Sequence, residues 1–204
     1  MSELLGQQIT RSYGILERFL SNWRASKAGK LIKNEKIDPG RILDIGSGVI
    51  PNFLIKSEFH RKYGIENTDI NQSVYKKEKI RYYTIDLEKR KRMPFSDNYF
   101  NCITMLAVFE HLTPSRLPDI INEIYRILKK DGLFILTTPA RWTEKFLKVL
   151  SFFRIVSDVE IRDHKDQYTI KKIFYIFKNT KFNRKRIEGG FFEMYMNIWM
   201  KAVK

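Results

Sequence analysis

The first residues spaced for chemistry are Asp44-Ile45-Gly46-Ser47-Gly48. Two glycines one residue apart let a backbone turn sharply and pass close to a ligand, because glycine adopts left-handed dihedrals without steric cost. A dinucleotide site needs a third glycine, in the pattern G-x-G-x-x-G, so that a pyrophosphate can rest on a helix N-terminus. Here Val49-Ile50-Pro51-Asn52-Phe53 fills that place with bulk and a proline. Asp44, ahead of the first glycine, repels a phosphate but suits a cationic ammonium or sulfonium group. Together Asp44, Gly46, Ser47 and Gly48 favour S-adenosylmethionine over NAD as the ligand.

Two further acids stand where strands are expected to end. Asp69, in Thr68-Asp69-Ile70-Asn71, has the geometry to accept both hydroxyls of a ribose as a bidentate carboxylate. Glu66 competes for that role, since the end of the strand is not set by sequence. Asp86, in Thr84-Ile85-Asp86-Leu87, can accept an adenine amino group, with Leu87 packed on the ring. Each acid reads equally well as a turn or helix-capping residue. Glu110-His111 follows another strand candidate, which makes His111 the candidate general base for a hydroxyl acceptor and Glu110 the residue that orients it. The alternative is that both only anchor their loop. His164, in a charged stretch, is a second candidate near the acceptor.

The elements that must position these residues can be read from periodicity. Residues 1–38 are helical in pattern, with Ile15, Leu16, Phe19, Leu20 and Trp23 at helical spacing before Asp38-Pro39-Gly40 breaks it. The helix packs on the domain, caps the active site or meets a membrane surface; the cap is the reading adopted here. Strands are expected at Arg41–Ile45, Tyr63–Ile70, Ile80–Ile85, Phe100–Val108 and Leu133–Thr138. Before the last of them, Leu117, Ile120, Ile121, Ile124, Ile127 and Leu128 line one helix face, and Asp131-Gly132 is expected to end that helix as a glycine cap. Strands alternating with helices imply right-handed crossovers and a parallel sheet covered on both faces, with ligands at the carboxyl ends of its strands. After Pro139, a helix over Trp142–Phe153, a charged loop over Val156–Tyr168 and a helix over Thr169–Lys178 are expected. A closing hairpin follows, from Lys181–Ile187 and Phe191–Val203 around Glu188-Gly189-Gly190. The whole, 1–204, reads as one domain: a helical cap (1–38), a cofactor-binding core (41–139) and substrate-side helices with the hairpin (140–204).

Six stretches occur in order between Ile42 and Pro139. They are Ile42–Gly48, Ile85-Asp86-Leu87, Met93–Phe100, Ala107-Val108-Phe109-Glu110-His111-Leu112, Glu123–Lys129 and Gly132–Pro139. In this series the segment resembles the class I S-adenosylmethionine-dependent methyltransferases, in particular the small type 11 group. The resemblance implies an α/β, Rossmann-like fold: a seven-stranded, mostly parallel sheet with helices on both faces and the last strand antiparallel. It also implies S-adenosylmethionine as cofactor, with Ala107 beside Asp44, Gly46, Ser47, Gly48, Asp69, Asp86 and Leu87 in its site. The chain departs from the family at Ile50-Pro51, where the usual third glycine is missing, and it matches poorly between Gly48 and Asp69.

Composition bounds the rest. With 204 residues, 43% of them hydrophobic, the chain can bury a sizeable core. It shows no leader and no apolar run long enough to span a membrane, so a soluble cytoplasmic protein is expected. Cys102, the single cysteine, reads as a buried structural thiol. His60, His111 and His164 are scattered without nearby cysteines, and no metal site is expected. The net charge of +15 is spread over Lys27–Lys36, Lys76–Arg81, Lys89–Arg92 and Arg184–Arg186, and reads as solvated surface before a nucleic-acid groove. A small-molecule, glycan or lipid-precursor acceptor is therefore favoured. The alternatives are an RNA methyltransferase using the basic surface and a non-catalytic protein that keeps the fold; peripheral membrane contact stays open.

Overall fold

The computed structural model describes residues 15–142 and 168–204. The helix expected over Trp142–Phe153 and the loop over Val156–Tyr168, with His164, lie outside the described residues except at Trp142 and Tyr168. The described chain forms α1 (Ile15–Asn34), β1 (Arg41–Ile45), α2 (Asn52–Lys56), β2 (Arg61–Glu66), α3 (Ser73–Lys77), β3 (Arg81–Thr84), β4 (Phe100–Leu106), α4 (Leu117–Ile127), β5 (Leu128–Pro139), α5 (Ile170–Lys178), β6 (Ile187–Phe192) and β7 (Asn197–Val203). Short 3-10 turns occupy Phe109–His111 and Arg184–Arg186. Among the described residues no helix is long and apolar enough to cross a membrane.

All seven strands join one sheet in the order β3-β2-β1-β4-β5-β7-β6. β1 to β5 pair in parallel, whereas β7 runs antiparallel to both β5 and β6. The sheet has two covered faces because its strands alternate inward on both. On one face Leu43, Ile45, Ile103, Met105, Phe134 and Leu136 meet Ile120, Ile121, Ile124 and Ile127 of α4 and Ile173 and Phe177 of α5. Each such apolar side chain contributes roughly 1.5–3 kcal/mol on full burial. On the other face Ile42, Cys102, Leu133 and Ile135 meet Ala25, Ala28 and Leu31 of α1 and Phe53 and Leu54 of α2.

From Ser21 on, α1 lies against the flat of the sheet. Its buried face is built on the alanines, whose small side chains allow close approach, while Trp23 of the predicted stripe is half-exposed. It runs along β7: Lys27 Nζ stands 4.4 Å from the Trp199 ring centroid, and a turn or two later Glu35 pairs with Lys201, which also meets Glu188 at 3.1 Å.

Basic residues also close the far side of the core. Arg126 donates to the carbonyls of Phe95 (2.9 Å) and Met93 (3.2 Å) and to Asp97 and Glu123 (2.6 Å each), so the Met93–Phe100 stretch is stitched to α4. Lys204 Nζ donates to the carbonyls of Tyr125 (2.7 Å) and Leu128 (2.8 Å), satisfying the end of that helix. Part of the large basic excess is thus structural.

Two expected boundaries move. α4 stops at Ile127 and β5 begins at once, so Asp131-Gly132 is not a helix cap; Asp131 holds the left-handed φ of 60°, and Gly132 lies within the strand with Leu128 against it. Nor does the hairpin turn at Glu188-Gly189-Gly190. Those residues are inside β6, and the turn falls at Glu193–Met196, with φ of 53°, 51° and 66° at Glu193, Met194 and Tyr195. The glycines are small for packing: a Cβ on Gly189 would lie 2.1 Å from Met200 Sδ, and one on Gly190 2.9 Å from Trp199 Nε1. Gly189→Val is accordingly expected to cost about 1–3 kcal/mol in urea unfolding despite valine's strand preference; a neutral result would show that Met200 yields.

Candidate functional site

β1, β2, β3 and β4 all end at one edge of the sheet, and the candidate residues gather there. Asp44, the fourth residue of β1, is buried among apolar neighbours and accepts a 2.6 Å hydrogen bond from Thr104 Oγ1 on β4. Burial pushes its carboxyl up to about 7, against the Thr104 bond, and the negative charge of Glu66 adds to the rise. Glu66 is the last residue of β2. Two carboxylates on adjacent strands thus feel each other across a turn.

That turn is Gly46-Ser47-Gly48. Both glycines are left-handed, at φ 73° and 78°. A Cβ on Gly46 would lie 2.1 Å from Val108 Cγ2, which reaches over from the end of β4. Gly46 N–H donates to Ile65 O at 2.8 Å, and Gly48 N–H donates to Glu66 Oε1. Tyr75, buried on α3, donates to Gly48 O at 2.6 Å and accepts from Ser47 Oγ at 2.7 Å. Gly64 makes room for this pair, since a Cβ there would meet Ser47 Oγ at 2.6 Å and Tyr75 Cε1 at 2.7 Å. The Ile50-Pro51 departure turns the chain into α2, only five residues long, through Asn52 N–H to Ile50 O at 2.8 Å. No long helix starts behind the glycines.

The remaining candidates divide. Asp69, three residues past β2, is exposed and accepts from Thr84 Oγ1, so the strand-end position belongs to Glu66. Asp86 caps its own turn through Glu88 N–H at 2.9 Å and pairs with Lys89 at 3.3 Å. Partial burial raises its carboxyl, but those bonds outweigh it and hold the group below its usual range. Leu87 is 7% exposed within the core, so most of its surface is already covered by protein. Ala107 ends β4 with a left-handed φ of 56°, its N–H bonded to Thr137 O at 2.9 Å. Glu110 is buried and accepts from Thr138 Oγ1 at 3.0 Å, which ties its 3-10 turn to β5. His111, half-buried on the same turn, lies five residues past the end of β4. Glu88 Oε1 accepts Thr113 N–H at 2.6 Å, joining the loop after β3 to the loop after β4. Tyr75 and Val108 went unnoticed in the sequence: Tyr75 carries no spacing signal, while Val108 stands inside the Ala107–Leu112 stretch.

A shallow hollow of about 370 Å³ beside α4, lined by Lys91, Arg116, Asp119, Glu123, Arg126 and Lys181, is a different kind of feature. Four of its charges pair with one another, Arg116 with Asp119 and Arg126 with Glu123.

A mostly parallel sheet in this strand order, with β7 antiparallel, a glycine turn and strand-end acids on one edge, defines the Rossmann-like methyltransferase class. A model of the methyltransferase domain matches residues 16–176, and the chain belongs to that family. Three solved structures show the same fold. A SAM-dependent methyltransferase from Archaeoglobus fulgidus is 16% identical, with 88% of this chain and 94% of that chain covered and a TM-score of 0.61. Magnesium protoporphyrin IX methyltransferase from Synechocystis PCC 6803, solved with bound SAH, is 14% identical over 97% and 93%, at 0.66. A SAM-dependent methyltransferase from Leishmania major is 13% identical over 92% and 74%, at 0.68. No curated protein matches the chain at a significant level.

The turn generates two predictions. Tyr75→Phe removes one donor and leaves Gly48 O and Ser47 Oγ unpartnered by it; a loss of about 1–2 kcal/mol in urea unfolding is expected. Asp44 makes stability depend on pH. The folded chain keeps its proton up to about pH 7, whereas the unfolded group releases it near 3.8. Between these values the folded state binds more protons, so this contribution falls as pH rises. Asp44→Asn should flatten the stability profile across that window, by on the order of 1–4 kcal/mol relative to wild type. Parallel profiles for the two proteins would show that Asp44 does not titrate there.

Proposed function

We propose that the protein transfers the methyl group of S-adenosylmethionine to a small-molecule, glycan or lipid-precursor acceptor. The observation that carries the reading is the pair Asp44 and Glu66, a buried carboxyl whose proton affinity is raised by burial and by the charge of its neighbour, beside a turn built of left-handed glycines. Such a site is completed by a cation and opposed by a phosphate. Gly46 is packed against Val108, where a Cβ would clash, so the turn offers a ligand only backbone at that position. In this reading Asp44 faces the cationic end, Gly46, Ser47 and Gly48 lie along the ligand, and Glu66 rather than Asp69 receives the ribose. Asp86 and Ala107 border the base, with Leu87 beneath.

When bound, the cofactor supplies an activated methyl on a sulfonium whose leaving group departs neutral. The chain's own work is then to hold the acceptor in line and exclude water. His111, on the 3-10 turn after β4, is the residue assigned to take the acceptor proton, and Glu110 keeps its turn in place through Thr138. The structural use of Arg126, Lys201 and Lys204 supports a non-nucleic acceptor over RNA.

Calorimetric titration tests the cofactor: S-adenosylmethionine is expected to bind and NAD not, and a preference for NAD would overturn the reading. Affinity should rise as pH passes about 7 and Asp44 ionises. The rise should be smaller in Asp44→Asn, a comparison in which the ligand's own titration cancels. His111→Ala is expected to lower kcat by roughly 10²–10⁴-fold at little cost in cofactor affinity, read by tritiated-methyl transfer to lipid, glycan and phenolic extracts. Unchanged turnover would leave His111 a loop anchor.

A further inference from the structure

The β6–β7 hairpin ends at the same edge of the sheet as the strand ends of β4 and β5, since Ala140 N–H, just after β5, donates to Met196 O at 2.8 Å. Its tip carries large apolar side chains in the open. Phe191 is 43% exposed, Met194 77%, Tyr195 68%, and Trp142, after β5, 49%. They form one cluster: Trp142 Nε1 donates to Tyr195 O at 3.0 Å, and the Phe191 and Tyr195 rings lie 5.6 Å apart.

The turn is also strained in a particular way. Three successive non-glycine residues, Glu193, Met194 and Tyr195, are left-handed, where glycine or asparagine would cost least. Met194 and Tyr195 occupy such positions while contributing little to the packing of the fold. Glu193, the acid of the tip, is turned back on itself and accepts from Asn197 Nδ2, and Arg24 of α1 lies near enough to act on its charge. Basic groups flank the cluster: Arg141 is exposed beside Trp142, and Arg24 lies near Glu193.

A hairpin tip of Tyr, Phe and Met with Trp142 beside it, flanked by Arg24 and Arg141 on a chain of net charge +15, has the chemistry of an interfacial anchor. Indole and phenol rings settle at the headgroup level, and basic side chains are drawn to anionic headgroups. A second copy would bring the same positive charge to this face and be repelled, whereas a layer of anionic headgroups complements it. We propose that Trp142, Phe191, Met194 and Tyr195 dock the protein on an anionic lipid bilayer and so present the strand-end site to membrane-resident acceptors. The second half rests on the methyltransferase reading above; the docking itself does not.

Sedimentation with vesicles tests it, using the full chain and phosphatidylcholine with or without phosphatidylglycerol. Wild type is expected to bind the mixed vesicles and to bind pure phosphatidylcholine far less. The double variant Met194→Ser, Tyr195→Ser removes exposed side chains only, and should bind the mixed vesicles about tenfold more weakly or worse, with its urea midpoint not lowered. Absence of wild-type binding overturns the proposal. So does undiminished binding by the variant, which would assign the attraction to charge elsewhere. Concentration-dependent dimerisation in light scattering that the variant loses, without vesicle binding, overturns it in favour of a second copy. Adenosylmethionine titration without vesicles judges the methyltransferase reading separately.

Discussion

Gly48 is held from two sides: its N–H donates to Glu66 at the end of β2, and its carbonyl accepts the Tyr75 hydroxyl. Most of what the site can do depends on this grip. In a nucleotide-binding βαβ unit the glycine turn leads into a long helix whose N-terminus offers free N–H groups to phosphate. Here α2 has five residues, and the turn is instead braced from the neighbouring strand and from α3. The bracing brings Glu66 to the turn and leaves Asp44 behind it, so the local field is negative. The turn thereby has two carboxylates beside it and no long helix behind it, the arrangement on which the proposed cationic ligand rests.

The brace has its own requirements. Tyr75 can reach Gly48 only because position 64 lacks a side chain, and Gly46 can pass under Val108 only for the same reason. Gly46, Gly48 and Gly64 therefore serve one contact region, Gly48 by dihedral angle, Gly64 by volume and Gly46 by both. Beneath it Asp44 remains buried because Thr104 supplies a hydroxyl from β4. Burying that acid lowers stability above its titration point, which is a usual trade at a site whose charge awaits a ligand.

On the opposite side of the sheet the demands are ordinary. α4 and α5 bury branched aliphatic and aromatic side chains against β4 and β5, and Arg126 with Lys204 ties loops and helix ends to that layer. The charge that sequence alone presents as an even basic excess is thus divided. Some cations work inside the fold, and others remain outside, among them those around the hairpin tip.

Much of the fold was legible in residue order. β1 falls at Arg41–Ile45 as read from its apolar run, α4 shows its buried stripe at the expected spacing, and Thr169 precedes α5 as an N-cap, accepting from Lys172 N–H at 3.2 Å. These features are local, set by periodicity and by side chains that bond to their own backbone. The composition of the glycine turn was equally readable. What sequence left open is whatever depends on packing between distant segments. Gly189 and Gly190 look like a turn until Met200 and Trp199 are seen against them, and Asp131-Gly132 looks like a cap until β5 is seen to start at Leu128. Tyr75 looked like any aromatic on a short helix. Whether Glu66 or Asp69 ends β2 was decided by pairing with β3, where Glu66 stands opposite Thr84. The sequence by itself determined the kind of turn and the charge beside it, because both reside in neighbouring residues. Only the tertiary structure decided which acid, which tyrosine and which valine enclose that turn, because a backbone groove is shaped by residues brought from other strands.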